Sequence, residues 1–183
     1  EVVSSGYEPA EAVDGWVNSV YHRLPFMLPV WLEAGFGQSG LYSSMTFVSP
    51  WPDGVRMAVI YPVDGQEGVN PLFNSDWEMP DPAPDHAEVG TPITVAVADV
   101  SAPGSSTDPY NLRLLGAQLT RTGGGDVAVL VSDPSEDEYL YQMAMMLPVD
   151  PLAPETEYTA TMTVEWSGGT ETLTATFTTG QNP

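Results

Sequence analysis

The side chains in this sequence best suited to metal binding or proton transfer are two histidines and 25 acidic residues. There is no cysteine, so thiolate ligands, thiol nucleophiles and disulfides are excluded. His22 ends an apolar helical stripe, where an imidazole bonds locally and complements the negative end of the helix dipole. His86 lies beside Asp85 and Glu88, a cluster that reads either as a cation site or as a solvated turn. Asp76, Glu78, Asp81 and Asp85 offer oxygen ligands in one loop. Calcium takes about six to eight oxygens, and this spacing lacks the glycine and closing glutamate of an EF-hand. Asp133, Glu136, Asp137 and Glu138 make a second acidic knot that reads as a hairpin loop in water.

No nucleophile stands out. A Gly-x-Ser-x-Gly elbow is absent, and two histidines leave few ways to build a Ser-His-Asp triad. With so much acidity, any one pair of carboxylates is uninformative as an acid/base couple. Gly123-Gly124-Gly125 lacks the lysine and helix that follow a phosphate-binding loop. Met143, Met145 and Met146, with Tyr139 and Tyr141, read as core and interface packing. Trp31, Trp51 and Trp77 fall in loops, where they suit a glycan platform, a subunit contact or cover for a junction.

These residues must be held by two kinds of element. Pro9 suits the first turn of a helix, flanked by Glu8 and Glu11 near its positive end. Val13, Trp16, Val17 and Val20 then recur at helical spacing, and Pro25 stops the helix after Arg23. Gly35-Phe36-Gly37 and Leu41 to Val48 read as a strand and its hairpin partner. Ser49 to Gly54 is a break, residues 74–90 are a Pro/Asp loop, and the remainder is strand. The surest hairpin joins Glu157–Trp166 to Thr170–Thr178, with Tyr158, Ala160, Met162, Val164 and Trp166 on one face and Leu173, Ala175 and Phe177 inward. Many short strands separated by turns predict a sandwich or barrel.

The net charge is −21; the only basic residues are Arg23, Arg56, Arg113 and Arg121, besides the two histidines, and there is no lysine. Such a surface repels nucleic acid and anionic membranes and keeps an exported or salt-adapted protein soluble, or captures cations. No apolar run reaches the roughly 20 residues of a membrane span. The chain opens at Glu1 without an initiator Met, which reads as removal of something upstream.

Ala12 to Arg23 followed by Glu33-Ala34-Gly35-Phe36-Gly37 resembles the second half of a bacterial CAP domain, the superfamily of cysteine-rich secretory, antigen 5 and pathogenesis-related proteins. The likeness covers residues 1 to about 50 and rests on Trp16, Ser19, His22 and Arg23 with the Gly-x-Gly strand. It implies a cleft able to hold a divalent metal, with His22 and Glu1 as the matching ligands, Ser19 near a third, and a second histidine missing. Tyr61 to Val69, Pro151 to Tyr158 and Ala175 to Thr179 resemble the opening, penultimate-strand approach and close of bacterial surface-protein Ig-like domains, over roughly residues 61–180.

Taken together, the residues predict an α+β chain: a partial CAP-like α/β segment over 1–54, followed by an all-β Ig-like sandwich over 55–183. The stripe Val13, Trp16, Val17 and Val20 needs a lid, from an upstream fragment, a neighbouring copy or the Ig-like half. The expected role is a non-catalytic extracellular or cell-surface module: a spacer, adhesion unit or surface-assembly subunit. The alternative is a CAP-type secreted effector whose cleft binds a divalent metal, lipid or peptide. A glycan-binding accessory role for the loop tryptophans is a third expectation.

Overall fold

The structure is a computed structural model that describes residues 1–28, 33–48, 55–100, 111–167 and 169–181. The expected break at Ser49 to Gly54, with Trp51, lies outside these residues, as does Trp31. The chain is mostly β-sheet.

Among the described residues, thirteen strands and two α-helices follow in the order β1 (Val2–Ser5), α1 (Pro9–Asn18), α2 (Leu24–Met27), β2 (Glu33–Ser39), β3 (Tyr42–Val48), β4 (Val55–Tyr61), β5 (Gln66–Val69), β6 (Phe73–Asn74), β7 (Glu88–Val89), β8 (Ile93–Val100), β9 (Arg113–Arg121), β10 (Val129–Ser132), β11 (Met143–Pro148), β12 (Glu157–Trp166) and β13 (Gly169–Thr179). Two four-stranded sheets, β10-β11-β8-β4 and β5-β13-β12-β9, enclose the main core. From the first come Ile93, Val95, Val97, Ala144 and Met146; from the second come Leu119, Tyr158, Ala160, Met162, Val164 and Phe177. Every strand pair in these sheets is antiparallel except β5 with β13.

The two sheets differ in how water meets them. Strand β12 alternates buried and partly exposed residues, because one face packs and the other is solvated. Its outer face carries cross-strand hydroxyl pairs, Thr159–Thr176 at 3.0 Å, Thr161–Thr174 at 3.2 Å and Thr163–Thr172 at 2.9 Å. Strand β11 is buried at every position. Its second face, Met143, Met145 and Leu147, joins Ala96, Leu140 and Val89 in another core, against Val20, Tyr21 and Leu24 from the N-terminal segment.

That segment forms a third layer. Strands β1, β3 and β2 make a small antiparallel sheet with β3 in the centre. Trp16, Ala12 and Val2 pack on it with Phe26, Met45 and Phe47, and Phe26 meets Phe47 edge-on at 5.0 Å. The helical stripe is therefore divided: Trp16 faces the small sheet, Val20 faces β11, and both are buried by this chain alone, while Val13 and Val17 are half-buried. Apolar residues left bare lie elsewhere, among them Val3, Leu41, Tyr42 and Val48 of the small sheet.

The helix also ends earlier than its periodicity predicts. Helix α1 stops at Asn18, Ser19 is already extended, and Pro25 sits in the first turn of α2 instead of ending α1. A proline is well tolerated there, where its missing N–H has no helical partner to lose.

Candidate functional site

The break after Asn18 turns the chain so that Ser19, His22 and Arg23 meet the loop between β6 and β7. Glu78 of that loop is 7 % exposed. Its Oε2 accepts the Val20 N–H at 3.1 Å, and its Oε1 lies 3.3 Å from His22 Nδ1. Ser19 Oγ stands 2.9 Å from the same Nδ1 and accepts the His22 backbone N–H at 3.2 Å. Serine, histidine and a carboxylate thus gather at one point, but not as a relay. In a nucleophilic triad the serine and the acid engage opposite ring nitrogens. Here both lie on Nδ1. The Glu78 contact requires Nδ1 to carry its proton, so Ser19 can only accept there, and the histidine cannot take up the serine hydroxyl proton at that nitrogen.

The hydrogen bond to Glu78 raises the His22 pKa above the ordinary imidazole range; burial opposes this, and the Glu78 charge adds to it. A group whose folded pKa is raised stabilises fully below its unfolded value, about 6.5, and loses that contribution as pH rises through the folded value. The pair is half-exposed on the histidine side, so its contribution is under about 1 kcal/mol. The urea midpoint of wild type should therefore exceed that of His22→Asn in mildly acidic solution and converge with it as pH rises above neutral. A gap that widened with pH would show that the pair does not hold the loop.

Arg23, one residue on, is fully buried. Its Nε donates to Val17 O at 2.6 Å, its Nη1 to Pro92 O at 2.6 Å and to Thr94 Oγ1 at 3.2 Å, and its Nη2 reaches Asn18 O at 3.5 Å. Val17 and Asn18 end α1, where carbonyls lack helical partners and the dipole is negative. The guanidinium also lies over the Tyr61 ring, 4.2 Å from its centroid. Burial pushes its pKa down to about 10, which leaves it protonated at neutral pH. Sequence reasoning placed Arg23 at a helix end and in the CAP-like motif, not at a buried junction. Its partners on β4 and β8 are far along the chain.

The metal ligands implied by the CAP resemblance stand apart in their contacts. Glu1 Oε1 accepts Ser44 Oγ at 2.9 Å, at the start of the small sheet, while His22 is engaged by Ser19 and Glu78. The loop carboxylates also separate: Glu78 is buried, Asp76 and Asp85 are exposed, and Asp81 accepts Ser75 Oγ and the Ala83 N–H, the latter at 2.8 Å. Among the described residues no group of three or more His, Asp and Glu side chains is placed to hold a metal ion. His86 contributes its backbone N–H to Ala83 O.

The second acidic knot divides in two. Asp133 accepts the Leu114 N–H at 2.9 Å and the Ser135 N–H at 2.8 Å, bonds Ser135 Oγ at 2.5 Å, and lies 3.6 Å from Arg113. Burial alone would raise its pKa; the Ser135 hydroxyl, the two backbone N–H groups and Arg113 outweigh that and hold it below the usual carboxylate range. Asp137 turns the other way and accepts Tyr21 OH at 2.7 Å. Burial first, and then Asp137, push the Tyr21 hydroxyl well above the ordinary phenol range. Together they line an open cleft of about 380 Å³ with Asp81, Glu136, Glu138 and Tyr139. The lining offers acceptors for a positively charged group and no activated nucleophile.

Comparison with protein-family models and with curated proteins found no match. The resemblances to CAP and Ig-like domains rest on the residues that carry them.

Proposed function

We propose that this chain is a non-catalytic module of the extracellular space or cell surface, an Ig-like sandwich bearing a CAP-like N-terminal layer, and that it works as a subunit of a surface assembly. Supporting the Ig-like reading, the residues that approach the penultimate strand pin one another: Tyr158 OH accepts the Ala153 N–H at 2.9 Å, and Thr156 Oγ1 donates to Pro154 O at 2.8 Å. A tyrosine bonded back to nearby upstream backbone is a recurrent corner of such sandwiches. Supporting an exported setting are the charge of −21 and the absence of lysine and cysteine.

The observation that carries the assembly role is the small sheet. Its outer side leaves Val3, Leu41, Tyr42 and Val48 exposed, and all seven residues of edge strand β2 are exposed. From Ala34 to Val48 there is no charged residue, in a chain with 25 acidic ones. The charges described on this face are few: Glu1, which accepts from Ser44 Oγ, and Glu33, the register partner of Val48. A second copy presents the same apolar residues and can meet them face to face about a two-fold axis, in a contact centred on Val3, Leu41, Tyr42 and Val48. Sedimentation velocity over a range of concentrations should show a species of twice the chain mass. Leu41→Asp and Tyr42→Asp should each weaken it by at least about tenfold without lowering the thermal midpoint, since both positions are exposed. A wild-type chain that stays monomeric throughout would overturn the assembly reading.

A further inference from the structure

The loop between β6 and β7 presents its most apolar residues to water. Trp77 is 86 % exposed and Met79 is 89 % exposed, more than any other large hydrophobic residue described, and between them Glu78 is 7 % exposed. Glu78 is the anchor that ties the loop to Val20 and His22. The loop is closed at its base by Phe73↔Val89 and Asn74↔Glu88. Inside, Ser75 N–H donates to Ala87 O at 2.9 Å, Glu78 N–H to Ser75 O at 3.0 Å, and Ser75 Oγ links Asp81 to the Ala83 N–H. Two large apolar side chains are therefore held outward on a braced support, so little ordering entropy remains to be lost when they bind.

The surroundings state what they bind. The same loop carries Asp76, Asp81, Asp85 and Glu88, with His86 its only basic side chain. We infer that Trp77 and Met79 form a docking tip for a partner protein whose apolar pocket is rimmed by lysine or arginine. Tryptophan is the residue most enriched among binding hot spots, and methionine adapts to irregular apolar pockets. A lipid surface is disfavoured by the charge of −21. The tip is separate from the β2–β3 hairpin, so this inference and self-association fail independently.

The test uses an amphipathic helical peptide of leucine and lysine, a peptide of equal charge with serine in place of leucine, uncharged phosphatidylcholine vesicles and a cello-oligosaccharide. Each is titrated against wild type, Trp77→Ala, Met79→Ala and the double variant. The leucine/lysine peptide should bind wild type at least about tenfold tighter than the serine/lysine peptide. The double variant should bind the two peptides equally, and raised salt should weaken both. Both substitutions are at exposed positions, so unchanged thermal midpoints would confirm that the variants are folded. The inference is overturned if the double variant keeps the preference for the leucine/lysine peptide, if wild type shows no preference, or if Trp77-dependent binding is confined to the vesicles or the oligosaccharide.

Discussion

Arg23→Met is expected to lower the unfolding free energy by about 3–5 kcal/mol. Two short bonds end on carbonyls, the part-buried Val17 O and the buried Pro92 O, each at 2.6 Å. Methionine fills much of the arginine volume but offers neither carbonyl a donor, and a buried acceptor left unpaired costs about 1–3 kcal/mol. The contact with the Tyr61 ring is lost as well, about 2 kcal/mol when desolvated. Arg23→Lys restores the charge but not the planar fork that reaches α1 and β8 together, so it should recover less than half of the loss. Among the described residues no carboxylate lies within 4.0 Å of the charge; it is carried by helix-end carbonyls, the Pro92 carbonyl just before β8, a hydroxyl and a ring.

Urea unfolding with unchanged slope would measure this. Hydrogen exchange would locate it: amides of residues 12–27 should lose protection before those of β12 and β13, because Arg23 joins the N-terminal layer to the outer side of the β10-β11-β8-β4 sheet. If Arg23→Met stayed within about 1 kcal/mol of wild type, the guanidinium would not be what holds that layer in place.

How legible these features are in the sequence follows from the range of the forces that make them. Strands β12 and β13 are plain in the alternation of Tyr158, Ala160, Met162, Val164 and Trp166 with threonines, because one face meets water. Strand β11 is harder to bound. Met143-Ala144-Met145-Met146-Leu147 is buried on both faces and has no alternation, so the strand expected from Tyr139 begins only at Met143, after a short helical turn over Glu138–Leu140. The end of α1 is hidden for a related reason: Val20 continues the helical spacing, yet is buried by β11 after the helix has stopped. Glu78 reads as one of several loop carboxylates, since its partner Val20 lies 58 positions away. A single acidic residue between Trp77 and Met79 carries no local mark of burial. What the sequence does signal is imbalance: an apolar stripe needing cover, and a stretch from Ala34 to Val48 without charge in an acidic chain. The structure resolves the first within the chain and leaves the second bare.

The other large effect is expected at Gly90, where β7 passes into β8. A Cβ built there would lie 2.6 Å from Pro148 Cβ, 2.8 Å from Pro148 Cγ and 3.1 Å from Leu152 Cγ. Neither neighbour can withdraw easily. Pro148 is the last residue of β11, paired with Val129, and its carbonyl accepts the Gly90 N–H at 3.0 Å. Leu152 is buried, and its N–H bonds Pro71 O at 2.9 Å. Gly90→Ala should therefore cost about 2–3 kcal/mol by overpacking. Gly15→Ala is the matched control: it lies inside α1 with nothing within 4 Å of the added methyl, and should gain about 0.5–1 kcal/mol from helix propensity. The two substitutions add the same atom, so their opposite signs would isolate crowding from backbone preference. Because Gly90 follows the strand pair that closes the loop, relief of the clash must move β7 or β11. A shift of β7 would carry Trp77 with it, and the leucine/lysine peptide should then bind Gly90→Ala more weakly even under conditions where the variant is fully folded. If Gly90→Ala instead matched wild type in both stability and peptide binding, the contact with Pro148 would be soft, and the base of the loop would not be the rigid support described here.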